Sequence, residues 1–361
     1  MVCEELAKAA SKDKAEKLGR TTTAVVVTLG LSLASFPAWT QVSIVSVLYE
    51  SPTLVAPAAI LQQPVGKGLL NLSITGWTMG AEYRRTTNSL TEWTSSLDVS
   101  PLNAHRSNGF YADGEPAPDS SFENASFHFK SGFKRRHALR WTGDYRLTCL
   151  YESVSGLPPE ESAFWERPYA GLQIGQAWEQ ITSFDPLMNR WDGLKATGQY
   201  QVYAGDSIWW RGSAALGVGK RLGPMFLRTD AAIFLGDGLN KVSRFLVGGG
   251  WELPGVNTLY GYRYGEFRID RGLLTTAGAD WKFSKQWEIG YRVGSLMAID
   301  LEDGQLAAYG EAIRVGWQWQ GWVIALGWGV RGNPLEARNL GKSLVSASLT
   351  AALWNPLVHE R

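Results

Sequence analysis

The sequence lacks an excess of charge of either sign, with 35 Lys and Arg residues against 34 Asp and Glu residues in 361. A net charge of +1 excludes strong electrostatic capture of nucleic acid. Cysteine is also scarce, because only Cys3 and Cys149 are present. We expect the segment containing Cys3 to be removed, so a single thiol remains and an intramolecular disulfide framework is excluded.

The chain also lacks long hydrophobic runs. No stretch approaches about 18 uninterrupted apolar residues, which excludes a helix anchored in an inner membrane. The mean hydropathy of −0.15 is too low for a helical membrane protein. Neither a Gly-rich phosphate loop nor a Cys/His metal spacing occurs, so we expect no cofactor and no metal site.

What the sequence does have is strict alternation of apolar and polar residues, with 17 Trp, 13 Tyr and 40 Gly. Trp287, Ile289, Tyr291 and Val293 alternate with Glu288, Gly290, Arg292 and Gly294. Such a period predicts strands with one apolar and one polar face. Many such strands in succession predict an all-β fold, an antiparallel transmembrane β-barrel of about 14–16 strands. The alternative is a soluble, Trp-rich β-sandwich.

The alternation also predicts which side chains face lipid and which face the lumen. Aromatic residues at this density are typical of the girdles where a barrel meets the membrane surface. We expect four apolar side chains of the last strands to touch lipid: Trp317, Trp328, Ile289 and Leu326. We expect three polar side chains to face the lumen: Arg292, Arg314 and Gln318.

The chain divides into four predicted segments. Residues 1–41 have a charged start, a short apolar run and a break, the layout of a secretory signal peptide. Residues 42–69 contain Pro52, Pro57 and Pro64, which favour a linker or an N-terminal plug. Residues 70–355 form the barrel, and residues 356–361 a tail. Together these segments predict a monomer in the outer membrane, surrounded by outer-membrane lipids.

One region resembles the hallmark of the BamA/TamA-like superfamily of outer-membrane barrels. Arg244-Phe245-Leu246-Val247-Gly248-Gly249 is followed by Leu259-Tyr260-Gly261-Tyr262-Arg263-Tyr264-Gly265-Glu266. The family pattern is an aromatic residue, a Gly-Gly pair, a loop and an Arg-Gly-aromatic tip, after which five strands follow. About five candidate strands follow here too. The resemblance implies a loop folded into the lumen and a role in inserting or translocating proteins or lipids.

The sequence departs from this pattern at the tip, where Tyr260 occupies the position of the family's Arg. We therefore expect Arg263 to hold the loop, with an inward-facing acid on a late strand as its partner. Alternation makes Asp280 and Glu288 the candidates. About seventy residues precede the predicted barrel, so the resemblance is to a barrel-only relative. Its partner would be a client protein or lipid.

Two other functions remain open. His105-Arg106-Ser107-Asn108 resembles the His-x-Ser-Asn stretch of outer-membrane lipid hydrolases of the phospholipase A and lipid A deacylase types. In those enzymes a His activates a Ser and a third polar group orients the His. Asn124 or Glu123 is the candidate for that third group. The other alternative is a passive porin. We expect transport rather than catalysis, because His105 and Ser107 lie in a polar stretch without strand alternation.

Overall fold

The computed structural model describes the chain in fifteen segments, and the following statements concern these segments alone. They are residues 41–50, 54–75, 78–100, 110–112, 115–117, 123–155, 168–185, 190–205, 207–239, 243–250, 257–263, 265–300, 304–319, 322–332 and 343–351. The predicted signal peptide falls outside them except for Gln41, and the predicted tail falls outside them entirely. No helix in these segments has the length and hydropathy needed to cross a membrane.

Twenty strands make up the described part of the chain. The first ten are β1 (Gln41–Glu50), β2 (Leu54–Val65), β3 (Gly68–Thr75), β4 (Thr78–Asn88), β5 (Thr91–Ser100), β6 (Phe110–Ala112), β7 (Glu115–Ala117), β8 (Glu123–Ala138), β9 (Trp141–Ser155) and β10 (Pro168–Asp185). The second ten are β11 (Arg190–Ala204), β12 (Ile208–Leu222), β13 (Met225–Asp237), β14 (Phe245–Val247), β15 (Phe267–Ile269), β16 (Arg271–Lys282), β17 (Trp287–Asp300), β18 (Gly304–Trp319), β19 (Trp322–Gly332) and β20 (Ser343–Ala351).

Sixteen of these strands form one closed antiparallel barrel. Each pairs with its neighbour along the chain, and the hairpins β6–β7 and β14–β15 stand apart as two-stranded sheets. The barrel closes where β1 pairs with β20, from Val45 opposite Ala351 to Glu50 opposite Ser346. Closure leaves no open sheet edge, which a strand structure in lipid requires. The predicted fold class is confirmed.

Alternation places large apolar side chains on the outside of the barrel. Leu273 is 38% exposed, whereas the next residue, Leu274, is 5% exposed and faces inward. Ile289, Leu326 and Trp328 are all exposed on the outer face, as predicted. Arg292, by contrast, is 4% exposed and points inward. An apolar outer belt around a polar interior is the arrangement that a bilayer imposes on a barrel.

The connections between strands differ between the two ends of the barrel. At one end β4–β5, β8–β9 and β12–β13 are joined by only two residues each. At the other end the connections include 101–122, 156–167 and 238–270. Short turns face the periplasm and long loops face the exterior in outer-membrane barrels. We therefore call the ends periplasmic and extracellular.

The prediction that residues 42–69 form a linker or plug is wrong, because they form β1, β2 and the start of β3. Proline fits here because each described one lacks a neighbouring strand on one side. Pro57 pairs with Val47 of β1, and the pairing with β3 begins only at Ala58. Pro64 pairs with Leu69 of β3, beyond the reach of β1. Within the described segments, the barrel therefore begins at Gln41.

Candidate functional site

The connection between β13 and β16, residues 238–270, folds back into the barrel and is here called the lumen loop. Its two arms pair as β14 and β15, from Phe245 opposite Ile269 to Val247 opposite Phe267. The Gly-Gly pair then lets the loop turn back on itself. Gly248 and Gly249 have positive φ angles of 132° and 102°, which glycine adopts readily.

Those glycines also connect the outgoing arm with the tip. The Gly248 amide donates to the Asn257 carbonyl at 2.9 Å, and the Gly249 amide donates to the Tyr262 carbonyl at 2.9 Å. A Cβ at position 248 would lie 2.1 Å from the Arg263 carbonyl oxygen. Only glycine allows this approach, so the pair fixes the shape of the tip.

The tip packs directly on the inner wall of the barrel, where glycines make room for it. A Cβ at Gly310 of β18 would lie 1.7 Å from the Tyr260 carbonyl oxygen. A Cβ at Gly329 of β19 would lie 2.6 Å from the Gly261 nitrogen. Gly261 itself has φ 79°, in the left-handed region. The predicted loop inside the lumen is confirmed, and backbone touches backbone at its tip.

Apolar side chains fill the space beside this contact. Leu259 of the loop is fully buried and Tyr262 is 7% exposed. They join a cluster that includes Leu274 of β16, Leu296 of β17 and Ala308 of β18, all on inward faces. Burying a leucine contributes roughly 1.5–3 kcal/mol. The Tyr262 hydroxyl also donates to the Tyr309 carbonyl at 3.1 Å.

An ion pair joins the loop to the wall. Arg331 of β19 donates from Nη1 to Oε1 of Glu266 at 2.8 Å, and the side chains are 15% and 5% exposed. The Arg263 amide donates to the other carboxylate oxygen at 2.9 Å. Burial raises the pKa of Glu266, although the Arg263 amide bond and the charges of Arg331 and Arg263 oppose that rise. Here the loop supplies the acid and the wall supplies the arginine.

The prediction that Arg263 pairs with Asp280 or Glu288 is therefore wrong. Both acids do face the lumen, at 3% and 8% exposure. Asp280 is held by Arg292 at 2.8 Å and by Arg190 at 2.8 Å. Glu288 receives two hydrogen bonds from Arg190, at 2.7 and 2.8 Å.

Arg263 does not meet these acids because they lie at a different height in the barrel. Asp280 and Glu288 flank the short turn between β16 and β17, at the periplasmic end. The loop tip instead meets the far end of β18 and β19. Arg190 begins β11 at the same periplasmic end, so it reaches both acids. The network ties β11 to β16 and β17 below the loop.

The residues of the hydrolase hypothesis are not brought together by the described part of the chain. His105 and Ser107 lie outside the described segments. Asn124 lies near the start of β8, opposite Val154 of β9. Within the described segments, no group of three or more His, Cys, Asp and Glu side chains is placed to hold a metal ion.

Comparison with known proteins supports the fold. No protein-family model and no curated protein sequence matches the chain. Among solved structures, BamA from Haemophilus ducreyi lacking POTRA domains 1–3 superposes with a TM-score of 0.62 at 9% identity, over 86% of this chain and 70% of that one. CdiB from Acinetobacter baumannii superposes with a TM-score of 0.55 at 10% identity, over 88% of this chain and 60% of that one.

The chain has the barrel fold of BamA and CdiB. The predicted resemblance to a BamA/TamA-like barrel is thus confirmed for the fold, including the five strands after the lumen loop, β16 to β20. A closed barrel with an apolar outer belt is also the architecture of the outer membrane. The closed barrel and its apolar outer belt agree with the predicted outer-membrane location. The chain spans less than two thirds of the CdiB chain.

Proposed function

We propose that this protein inserts or translocates a protein or lipid substrate at the outer membrane, as the superfamily resemblance implies. The observation that carries the proposal is the lumen loop, which packs backbone to backbone on Gly310 and Gly329 and pairs Glu266 with Arg331. A loop held against β18 and β19 stabilises the wall next to the closing strand pair.

That closing pair is itself short. β1 and β20 pair over six positions, whereas β10 and β11 pair from Ala170 opposite Ala204 to Asp185 opposite Arg190. Fewer ladder hydrogen bonds make local opening less costly. A substrate of an insertase has to leave the barrel sideways, and a short β1–β20 seam is the place where strands separate most readily.

The proposal is tested by locking the seam. In a cysteine-free background, Val47→Cys and Leu349→Cys place thiols at positions that pair directly across β1 and β20. A disulfide there should abolish insertion or translocation in reconstituted vesicles, and a reductant should restore it. The control pair is Leu172→Cys with Val202→Cys, across β10 and β11. Transport unaffected by the seam disulfide would contradict the proposal.

Conductance measurements distinguish a passive porin from the proposed transporter. With the lumen loop docked, we expect small and unsteady currents in planar bilayers without a substrate. A large, steady single-channel conductance in the native protein would favour a passive porin.

A further inference from the structure

The periplasmic tip of the β8–β9 hairpin carries a concentration of positive charge. It includes five cationic or titratable residues, all exposed: Lys134, Arg135, Arg136, His137 and Arg140. Among the described residues, none of these side chains forms an ion pair with a carboxylate. Unpaired cations crowded on one short hairpin repel one another, so a ligand of negative charge would stabilise them.

The neighbouring hairpin tip, between β4 and β5, extends this surface. The Arg136 amide donates to the Leu90 carbonyl at 2.8 Å, which fastens the two tips together. Leu90 is 51% exposed and Leu139 is 86% exposed, so apolar groups project from the tips. Leucines mixed with arginines at the end of a membrane strand are typical of a surface that lies in the headgroup region.

Strand register places two of the arginines on the lipid-facing side. Arg85 of β4 pairs with Trp93 of β5, and Trp93 pairs with Phe133 of β8. Trp93 and Phe133 are exposed on the outer face, at 45% and 39%. Paired residues share a face, and so do residues two apart along a strand. Arg85 and Arg135 therefore both point toward the bilayer, two strands and two residues apart, which is about 12 Å.

The nearest acid on this hairpin pair does not share that face. Glu92 of β5 pairs with Lys134, one position away from Trp93. Alternation therefore directs Glu92 to the lumen side, together with Lys134. Arg85 and Arg135 are left on the outer face with aromatic neighbours.

Beside Arg135 lies a row of polar side chains on the same outer face. Trp141 donates from Nε1 to Oε1 of Gln176 at 2.7 Å, and Gln176 donates from Nε2 to the Tyr145 hydroxyl at 3.0 Å. That hydroxyl lies 3.1 Å from Nε2 of His137. A hydrogen-bonded row is unusual on a surface that meets lipid tails, so it marks the headgroup level.

A glycine makes room for two side chains of this row. Gly143 pairs with Arg135, and a Cβ at Gly143 would lie 2.6 Å from His137 Nε2 and 2.7 Å from the Tyr145 hydroxyl. The His137 and Tyr145 side chains therefore lie directly over Gly143, and their imidazole and hydroxyl are held beside Arg135 on the outer face. The positive charge of Arg135, the neighbouring hydroxyl and imidazole, and the aromatic rings of the outer face together suit a phosphate attached to acyl chains.

We propose that this surface, Arg85 and Arg135 with His137 and Tyr145, binds the phosphate headgroup of an anionic phospholipid in the periplasmic leaflet. The acyl chains would lie along the exposed rings of Trp93 and Phe133 above it. The choice of a lipid over an acidic protein follows from the orientation of the arginines, which face the bilayer rather than the periplasm. The role is independent of the transport proposal.

The test measures lipid retention by the purified barrel. The probe is phosphatidylglycerol, added to the protein in detergent and counted by native mass spectrometry, with phosphatidylcholine as the neutral comparison. Each arginine near a lipid surface contributes about a five-fold change in affinity. Arg85→Gln with Arg135→Gln should therefore weaken phosphatidylglycerol retention about 25-fold, and Tyr145→Phe should weaken it by a smaller factor.

The matched control is Lys282→Gln with Lys285→Gln, which removes two exposed cations at the periplasmic end of β16 and in the turn that follows it. This control should retain phosphatidylglycerol as the native protein does. Equal retention by the arginine variant and the control would overturn the proposal. Binding of soluble glycerol 3-phosphate as tight as that of the lipid would also overturn it, because the site would then select free phosphate. A gel shift between unboiled and boiled samples verifies that each variant is folded.

Discussion

Two parts of the inner wall differ in what covers them. The loop wall, formed by the extracellular halves of the inward faces of β16 to β19, carries Leu274, Gly294, Leu296 and Gly310 and is covered by the lumen loop. The charged wall, formed by the inward faces of β4, β5, β8 and β9, carries ion pairs instead. Lys130 contacts Asp98 at 2.9 Å, and Arg146 contacts Asp144 at 2.8 Å and Glu82 at 3.3 Å.

The difference shows that the side chains on an inner wall indicate whether water or a docked protein segment covers that wall. Charged side chains suit water or each other, so a wall of ion pairs needs no protein cover. Glycines and leucines on an inward face leave apolar surface and space, which a docked segment has to fill. The ion pair of Glu266 with Arg331 joins the loop to this wall and helps to fix where the tip lies.

The largest expected effect comes from removing that ion pair. Arg331→Gln leaves the buried Glu266 carboxylate without its wall cation, which we expect to destabilise the docked loop by about 3–5 kcal/mol. Protease cleavage of the loop in folded protein measures this. Arg146→Gln on the charged wall should leave loop cleavage unchanged. Adding Glu266→Gln to Arg331→Gln should restore part of the protection, and failure of this rescue would show that the pair does not hold the loop.

The next effect tests which side chains of β18 and β19 face lipid and which face the lumen. Leu326→Arg puts a charge on the lipid face, where we expect a cost of about 2–4 kcal/mol in reversible folding. Gln318→Arg adds the same charge facing the lumen and should cost far less. Equal costs would mean that inner and outer faces have been exchanged.

A smaller effect compares an inward glycine of the loop wall with an inward glycine of β10, which lies beside the charged wall. Gly310→Ala forces a Cβ against the Tyr260 carbonyl oxygen, and overpacking of this kind costs about 1–3 kcal/mol. At Gly175, by contrast, the nearest atom to an added Cβ is Asp144 Cβ at 3.4 Å, an ordinary contact. Gly175→Ala should therefore be tolerated. Denaturant unfolding measures both, and similar losses would remove the distinction between the walls.

The smallest effect concerns pH. Docking raises the pKa of Glu266 above its usual 4.5, so the docked loop binds the proton more tightly than a released loop does. The resulting stabilisation is fully present below the pKa of the released loop and is lost as pH rises through the docked pKa. The mobility of a spin label on the loop should therefore not increase when the pH is lowered from neutral. Greater mobility in acid, absent in Glu266→Gln, would contradict this sign.

Most of the barrel could be predicted from the period of its strands. Alternation placed Leu326 and Trp328 outside and Arg292 inside, and the expected number of strands included the sixteen observed. The first strands were missed because three prolines were taken as breaks. Proline does break a ladder with neighbours on both sides, but sequence alone does not tell which strand positions have a free side.

The sequence predicted that the loop folds into the lumen, but it did not predict which residues the loop contacts there. The Gly-Gly pair and the following tip indicated a fold back into the lumen. Alternation correctly directed Asp280 and Glu288 inward, yet it carries no information on height in the barrel. Arg190 reaches Asp280 from three strands away and Glu288 from four. Glu266 was overlooked as the loop's own acid. Counting residues from each short turn would have placed Arg331, not Asp280, at the level of the tip.

The account rests on the lumen loop lying inside the barrel, and cysteine labelling tests this most directly. In a cysteine-free background, Leu259→Cys lies on the fully buried tip, and Ser207→Cys lies in the exposed extracellular connection between β11 and β12. Intact cells are treated with a membrane-impermeant maleimide. We predict rapid labelling at position 207 and almost none at position 259, with position 259 becoming reactive when Arg331→Gln is added. Equal labelling of both positions in the otherwise native protein would contradict the account.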